Sequence, residues 1–247
     1  MKSDSLVIIP TYNEKENIEA IIKAVFGLPK AFDILIIDDN SPDKTADIVR
    51  TMQPSYSDQL FMIERSGKLG LGTAYIAGFK WALDRDYEYI FEMDADFSHN
   101  PEDLPRLYEA CANEGADVAV GSRYSHGVNV VNWPMGRVLM SYFASIYVKV
   151  ITRMKVSDTT AGFVCYTRRV IETIDLDNIK FKGYAFQVEM KYTAYTLGFN
   201  IKEVSIIFVN RVLGTSKMSS GIFREGVVGV ISMRIRKMFG KIKPRKK

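Results

Sequence analysis

"FDILIIDDNSPDKTADIVRTM", residues 32–52, decides the fold. Its first part is a continuous apolar run that ends in two aspartates. A strand apolar at every position is buried on both faces, unlike the alternating strand of a half-exposed sheet. The second part reads as a helix, with Ser41 placed to cap it and Pro42 at the first helical position. A buried strand followed at once by a helix is the unit of a mainly parallel sheet.

The same rhythm runs outward in both directions. "SLVIIP" (5–10) precedes it as a strand, joined by "EKENIEAIIKAVFGL" (14–28), an amphipathic helix with Ile18, Ile21, Ile22 and Val25 on one face. "QLFMIE" (59–64), "YEYIFEMD" (87–94) and "ADVAVGS" (116–122) are further strands, separated by the helical stretches 71–86 and 101–115. The fold class expected is α/β, a mixed but mainly parallel sheet with helices on both faces. Past residue 122 the spacing predicts a helix over 135–154, a short segment 161–174, a helix over 184–198 and a strand over 200–210. Residues 220–239 fit an amphipathic helix that Gly221, Gly226 and Gly229 weaken. Two units are expected, a catalytic domain over 1–220 and a basic amphipathic segment over 221–247.

Composition bounds the function. The chain has 247 residues and is 47% hydrophobic, enough for one large core. Cys111 and Cys165 lie far apart without CxxC spacing, which argues against a disulfide framework or a thiolate zinc site. No signal peptide is expected at the N-terminus, and "VLMSYFASIYV" (138–148) is too short to span a bilayer, so a cytoplasmic location is expected. The net charge of +4 is uneven, because six of the last eleven residues, "KMFGKIKPRKK", are Lys or Arg. Nothing resembles a nucleic-acid module.

In a parallel sheet, ligands gather beyond the carboxyl ends of the strands. Four such ends carry polar groups: "PTYNE" (10–14), "DDNSPD" (38–43), "DADFSH" (94–99) and "GSRY" (121–124). Asp94 and Asp96 stand one residue apart, where mutual repulsion disfavours joint ionisation unless a cation lies between them. Mg²⁺ or Mn²⁺ on a diphosphate satisfies that need; a bare strand-to-helix turn, capped by Ser98 or Asn100, is the alternative. Asp38 or Asp39 can accept hydrogen bonds from a ribose or base, and Pro10, Tyr12 and Glu14 offer a ring and an acceptor beside them. Gly67, Gly70 and Gly72 lead into a helix with Lys68 at hand for phosphate, without matching a Walker A or a dinucleotide fingerprint. Arg123, Arg137 and Arg211 stand among apolar residues and suit phosphate, or snorkel at the surface.

Taken in order, "VIIPTYNEKENI", "IIDDNSPDKTA", "KLGLGTAYIAGF", "MDADFSHNPEDLP", "GSRY", "DTTAGFVCYTRRVIE", "GYAFQVEM" and "NRVLGTSKMS" resemble the family 2 glycosyltransferases. More narrowly they resemble that family's polyprenol-phosphate (dolichol-phosphate) mannose synthases, over residues 5 to about 220. The resemblance implies a GT-A fold and inverting transfer of mannose from GDP-mannose to a polyprenyl monophosphate. It implies that Pro10, Tyr12, Glu14, Asp39 and Lys68 contact the nucleotide, and that Asp94 and Asp96 hold the metal. It further implies that Arg123, Arg137 and Ser141 hold the acceptor phosphate, and that Arg211, Ser216 and Lys217 belong to a loop closing over the donor. Asp96, Arg123 and Arg137 form the expected catalytic set.

The chain departs from the pattern at Ser98, where some members carry a glutamine as a further metal ligand. It also lacks the membrane helices that many relatives append. A phosphate monoester is largely dianionic near neutrality and needs no base, so His99 and His126 are expected in supporting roles, with His99 orienting Asp96. A membrane surface is the expected lipid-side partner, reached by the C-terminal segment and the 135–154 helix, with room for a small membrane subunit. The attachment expected is peripheral, on the cytoplasmic face. Competing functions are a UDP-sugar transferase of the same fold, a metal-dependent phosphohydrolase and a noncatalytic nucleotide-binding protein.

Overall fold

The first strand, β1 (Ser5–Thr11), lies inside a seven-stranded sheet, and its side chains show why both faces are covered. Val7 and Ile9 join one core with Ile18, Ile21 and Val25 of α1 (Ile18–Phe26), whereas Leu6 and Ile8 join a second with Ala74, Tyr75 and Phe79 of α3 (Leu71–Leu83). All of these side chains are buried. The computed structural model describes residues 3–183, 185–210 and 221–245, the side chains of 221–225 excepted.

Strands β2 (Asp33–Asp38), β3 (Leu60–Glu64), β4 (Tyr89–Glu92), β5 (Val118–Ser122), β7 (Val164–Thr167) and β8 (Ile201–Ser205) complete the sheet in the order β3-β2-β1-β4-β7-β5-β8. β7 is antiparallel to both β4 and β5; the other pairings are parallel. A two-stranded parallel ribbon of β6 (Val130–Val131) and β9 (Phe208–Val209) stands beside it. The carboxyl ends of β1 to β5 therefore open on one edge, as the polar strand ends require.

Helices α2 (Thr45–Met52), α4 (Leu104–Ala112), α5 (Met135–Thr152), α6 (Arg168–Thr173), α7 (Ala185–Thr196) and α8 (Gly221–Met238) surround the sheet. One start differs from the sequence expectation. α2 begins at Thr45 rather than near Pro42, because the Ser41 hydroxyl donates to the Asp38 carboxylate at 2.6 Å and is held in the loop. Lys44 is the N-cap residue, in the left-handed region at φ 70°, and Asp43 before it accepts from the Thr45 amide at 3.0 Å and from its hydroxyl at 2.6 Å. At the other candidate cap, Asn100 accepts from the Glu102 amide at 3.2 Å. Both cysteines are free and buried.

The C-terminal helix forms despite its glycines, because tertiary packing outweighs propensity. Val230 and Met233 of α8 enter a third core with Val148 of α5 and Val188 and Tyr192 of α7. A Cβ on Gly229 would lie 2.7 Å from the Phe181 ring, so a larger residue there would force the ring or the helix to shift. The buried Glu189 of α7 pins this arrangement, accepting from the amides of Lys180 and Phe181 and pairing with Arg236 at 2.5 Å. The chain then returns to the domain, where the Arg245 amide donates to the Thr173 carbonyl at 2.7 Å. The basic segment is thus docked on the domain as far as residue 245.

Candidate active site

Each strand-end loop is shaped by local backbone chemistry. Asn13, Asn40 and Phe97, in the loops after β1, β2 and β4, have φ of 56°, 55° and 58°, in the left-handed region that asparagine tolerates and phenylalanine does not favour. At Phe97 this tight turn brings the Ser98 amide to 3.0 Å from the Asp96 carboxylate. Gly70, at φ 105°, opens α3, and the Gly72 amide donates to the Lys182 carbonyl at 2.8 Å, which ties the glycine-rich loop to the segment before α7.

Asp94 and Asp96 line a cavity of about 100 Å³ together with Ser98, His99, Arg123 and Arg137. Asp96 is buried and the Asp94 side chain is 41% exposed. The His99 Nδ1 accepts from the Asp94 amide at 3.1 Å, so the ring braces the backbone at Asp94. Burial pushes His99 down to about 4, against a weaker pull from Asp96, so the ring is neutral near pH 7 and its 3.9 Å approach to the Asp94 carboxylate is no ion pair.

Arg123 leaves the end of β5 and is gripped by Asp158. Its Nε donates to Oδ2 and its Nη2 to Oδ1, each at 2.6 Å, and its amide also donates to Oδ2 at 2.9 Å. Burial disfavours both charges, but each offsets that for the other, holding Asp158 below the usual carboxylate range and Arg123 above its own. Arg137 stacks on Trp133 with its guanidinium carbon 4.0 Å from the ring centroid, and donates to Asn210 at 2.8 Å. Ser141 does not line the cavity; it accepts from the Tyr124 hydroxyl at 2.9 Å.

A second group stands at the ends of β1 to β3. The Lys68 ammonium lies 5.0 Å from the Tyr12 ring centroid. Glu14 accepts from the Asn17 side chain at 3.1 Å, and Pro10 is partly exposed near the end of β1. Of the two aspartates after β2, Asp38 is fully buried and accepts from Thr11, from the Ser41 hydroxyl and from the Ser41 amide, so it braces the loop. Asp39 pairs with Arg65 at 2.5 Å; burial raises its carboxyl and Arg65 opposes the rise. Arg211, Ser216 and Lys217 lie outside the described residues.

Residues to which the sequence assigned no role complete the site. Asp158 and Gln187 stood inside quoted motifs, but nothing local says that one grips Arg123 or that the other lines the cavity. Trp133 and Asn210 arrive through the β6–β9 ribbon, a long-range pairing.

A seven-stranded mixed sheet with its polar strand ends converging on paired carboxylates and arginines defines a sugar-nucleotide transferase architecture. Comparison with known proteins agrees. The Glycosyl transferase family 2 model matches residues 6–175, and the chain belongs to this family. The chain is 44% identical over 232 residues to the polyprenol monophosphomannose synthase of Mycolicibacterium smegmatis, covering 94% of this chain and 87% of that protein. It is 45% identical over 225 residues to the undecaprenyl-phosphate mannosyltransferase of Micrococcus luteus, covering 91% of each.

Among solved structures, a mannosyltransferase from Pyrobaculum calidifontis in complex with GDP-mannose and Mn²⁺ superposes with a TM-score of 0.60 at 16% identity, over 97% of this chain and 65% of that longer one. Glucosyl-3-phosphoglycerate synthase from Mycobacterium tuberculosis, in complex with Mn²⁺, UDP and its product, gives 0.64 at 16% identity over 94% of this chain and 78% of that one. These support the GT-A fold. The family assignment also sets aside the phosphohydrolase and noncatalytic alternatives.

Proposed function

We propose that this glycosyltransferase moves mannose from GDP-mannose to a polyprenyl monophosphate with inversion, giving a polyprenyl phosphate β-mannose. The observation that carries this is identity of 44% and 45%, over more than nine tenths of the chain, to two enzymes named for mannosyl transfer to polyprenol phosphates. The site chemistry supports it. The acceptor is already anionic and needs no base, and the one histidine of the cavity is neutral with its Nδ1 occupied. What the reaction requires is neutralisation and in-line placement of two anionic groups.

Arg123 and Arg137 hold the acceptor phosphate, with Ser141 supporting from behind Tyr124. The phosphate oxygen attacks the anomeric carbon as the bond to the diphosphate breaks on the opposite face, and the bonding pair leaves with the diphosphate. Asp94 and Asp96 are the residues that hold Mg²⁺ or Mn²⁺. Their fit is that of an incomplete cage: no group of three or more His, Cys, Asp or Glu side chains suited to a metal occurs among the described residues. Two carboxylates suit a hard cation whose other oxygens come from diphosphate and water. Such a cation supplies charge neutralisation for the leaving diphosphate.

Pro10, Tyr12, Glu14, Asp39 and Lys68 bind the nucleotide. The lipid tail and membrane surface meet α5, which exposes Met135, Leu139, Phe143 and Val150, and α8, which exposes Val228, Ile231, Ile235 and Met238 beside its basic residues. No helix among the described residues is long and apolar enough to cross a membrane. Attachment is proposed to be peripheral, on the cytoplasmic face, with a small membrane subunit as a further partner.

The test is transfer of labelled sugar to a short polyprenyl phosphate from GDP-mannose, UDP-glucose and UDP-GlcNAc in parallel. Mannolipid from GDP-mannose alone is expected. Transfer only from a UDP sugar would replace the donor and keep the reaction class.

A further inference from the structure

Gln187, on the first turn of α7, is 2% exposed and lines the same cavity as Asp94 and Asp96, yet neither atom of its amide has a hydrogen-bond partner. The amide lies near the Glu92 carboxyl, close enough to favour its charged form but without a hydrogen bond of ordinary geometry. A buried amide without well-formed hydrogen bonds carries an uncompensated desolvation cost, so such a group is expected to be matched by a ligand or water. Beside it the wall is bare. A Cβ built on Gly162 would stand 3.7 Å from both the Gln187 Nε2 and the His99 Cε1, so glycine keeps open a space that alanine would fill without a backbone clash.

The character of the partner follows from what surrounds the amide. Both oxygens of Glu92 are also unmatched and fully buried behind it, and the Tyr75 and Tyr166 hydroxyls are unmatched as well. Lys191, one turn further along α7, is spent on the Ala161 carbonyl at 2.6 Å. The Gln187 amide thus offers the cavity a neutral donor and acceptor, unlike the guanidinium groups of Arg123 and Arg137 on the same lining, which suit phosphate. A carboxamide presents one acceptor and two donors and pairs with hydroxyl groups, which both give and take.

We propose that Gln187 reads a ring hydroxyl of the donor sugar, with Gly162 leaving the space in which that hydroxyl sits. The sugar is thereby selected by a buried hydrogen bond within the cavity that Asp94 and Asp96 also line. This rests on the transferase function proposed above, although not on the identity of the hexose.

The experiment uses the full chain, first finding which nucleotide sugar the wild type transfers. It then compares wild type with Gln187→Ala on that donor and on its monodeoxy analogues, one for each ring hydroxyl. Binding of the nucleoside diphosphate alone is measured by calorimetry. Gln187→Ala is expected to lower kcat/KM about tenfold to a hundredfold on the intact sugar while leaving diphosphate affinity within about twofold. The loss should vanish on one deoxy sugar, the one already lacking the hydroxyl that Gln187 reads. Equal losses on every analogue, or a matching loss of diphosphate affinity, would overturn the proposal.

Should Gln187→Ala fail to fold, Gly162→Ala decides. It is expected to raise KM for the sugar nucleotide with native circular dichroism, and native kinetics would overturn the proposal. A wild type that prefers a sugar other than mannose would sink the donor assignment, and the comparison would run on that sugar.

Discussion

Arg123 and Asp158 meet in a two-pronged ion pair, Nε to Oδ2 and Nη2 to Oδ1 at 2.6 Å each, and the Asp158 side chain is fully buried. The pair joins the end of β5 to the loop before β7, so the guanidinium that faces the cavity is held in one orientation. Asp158→Asn keeps the shape and removes the charge. Breaking a buried pair from one side costs about 3–5 kcal/mol, so a fall in stability of that order is expected in denaturant melts. Turnover should fall at least tenfold even where the variant is fully folded.

The same pair predicts an acid response. Asp158 is held below its ordinary range, so its contribution is fully present above the unfolded value of about 3.9 and is lost as pH falls through the lower folded value. Wild type should therefore lose more stability than Asp158→Asn between about pH 4 and pH 2. Parallel slopes for the two proteins over that range would contradict the assignment.

Met233 lies in the core that seats α8 on α5 and α7. Met233→Ala should destabilise the whole domain by about 2–5 kcal/mol, as measured by urea unfolding. An unchanged midpoint would mean that α8 contributes nothing to the fold. Deleting residues 222–247 is for the same reason a poor test of membrane binding, since it uncovers Val148, Val188 and Tyr192.

Membrane attachment is better tested on side chains that hold no core. Phe143 and Phe239 are 60% and 73% exposed. Phe143→Asp with Phe239→Asp should leave the melting curve unchanged and reduce flotation with anionic vesicles several-fold at physiological salt. Undiminished flotation would place the lipid contact elsewhere.

The parallel strands could be read from the sequence because runs such as "ILII" (34–37) are apolar at every position, and residues 33–38 are buried throughout. The paired aspartates could be read because close carboxylates are costly without a cation. β7 could not, since its place between β4 and β5 depends on pairing with strands distant in sequence. Nor could the Asp158 grip on Arg123, 35 residues away, or the competition at the strand end that holds Ser41 on Asp38 and leaves Asp43 bonded to Thr45 at the start of α2. The apolar period reports which face a residue occupies; it carries nothing about which polar groups meet at the edge.

The central claim is that one cavity joins a metal-bound donor to an acceptor phosphate, with Asp96 on the first and Arg137 on the second. The most direct test measures mannosyl transfer to polyprenyl phosphate for wild type, Asp96→Ala and Arg137→Ala while varying metal, donor and acceptor separately. Metal-dependent activity is expected in the wild type and at least a hundredfold loss in Asp96→Ala. Arg137→Ala should raise KM for the lipid phosphate and leave KM for the nucleotide sugar near the wild-type value. Metal-independent transfer that Asp96→Ala retains, or an Arg137→Ala defect confined to the nucleotide sugar, would contradict the account.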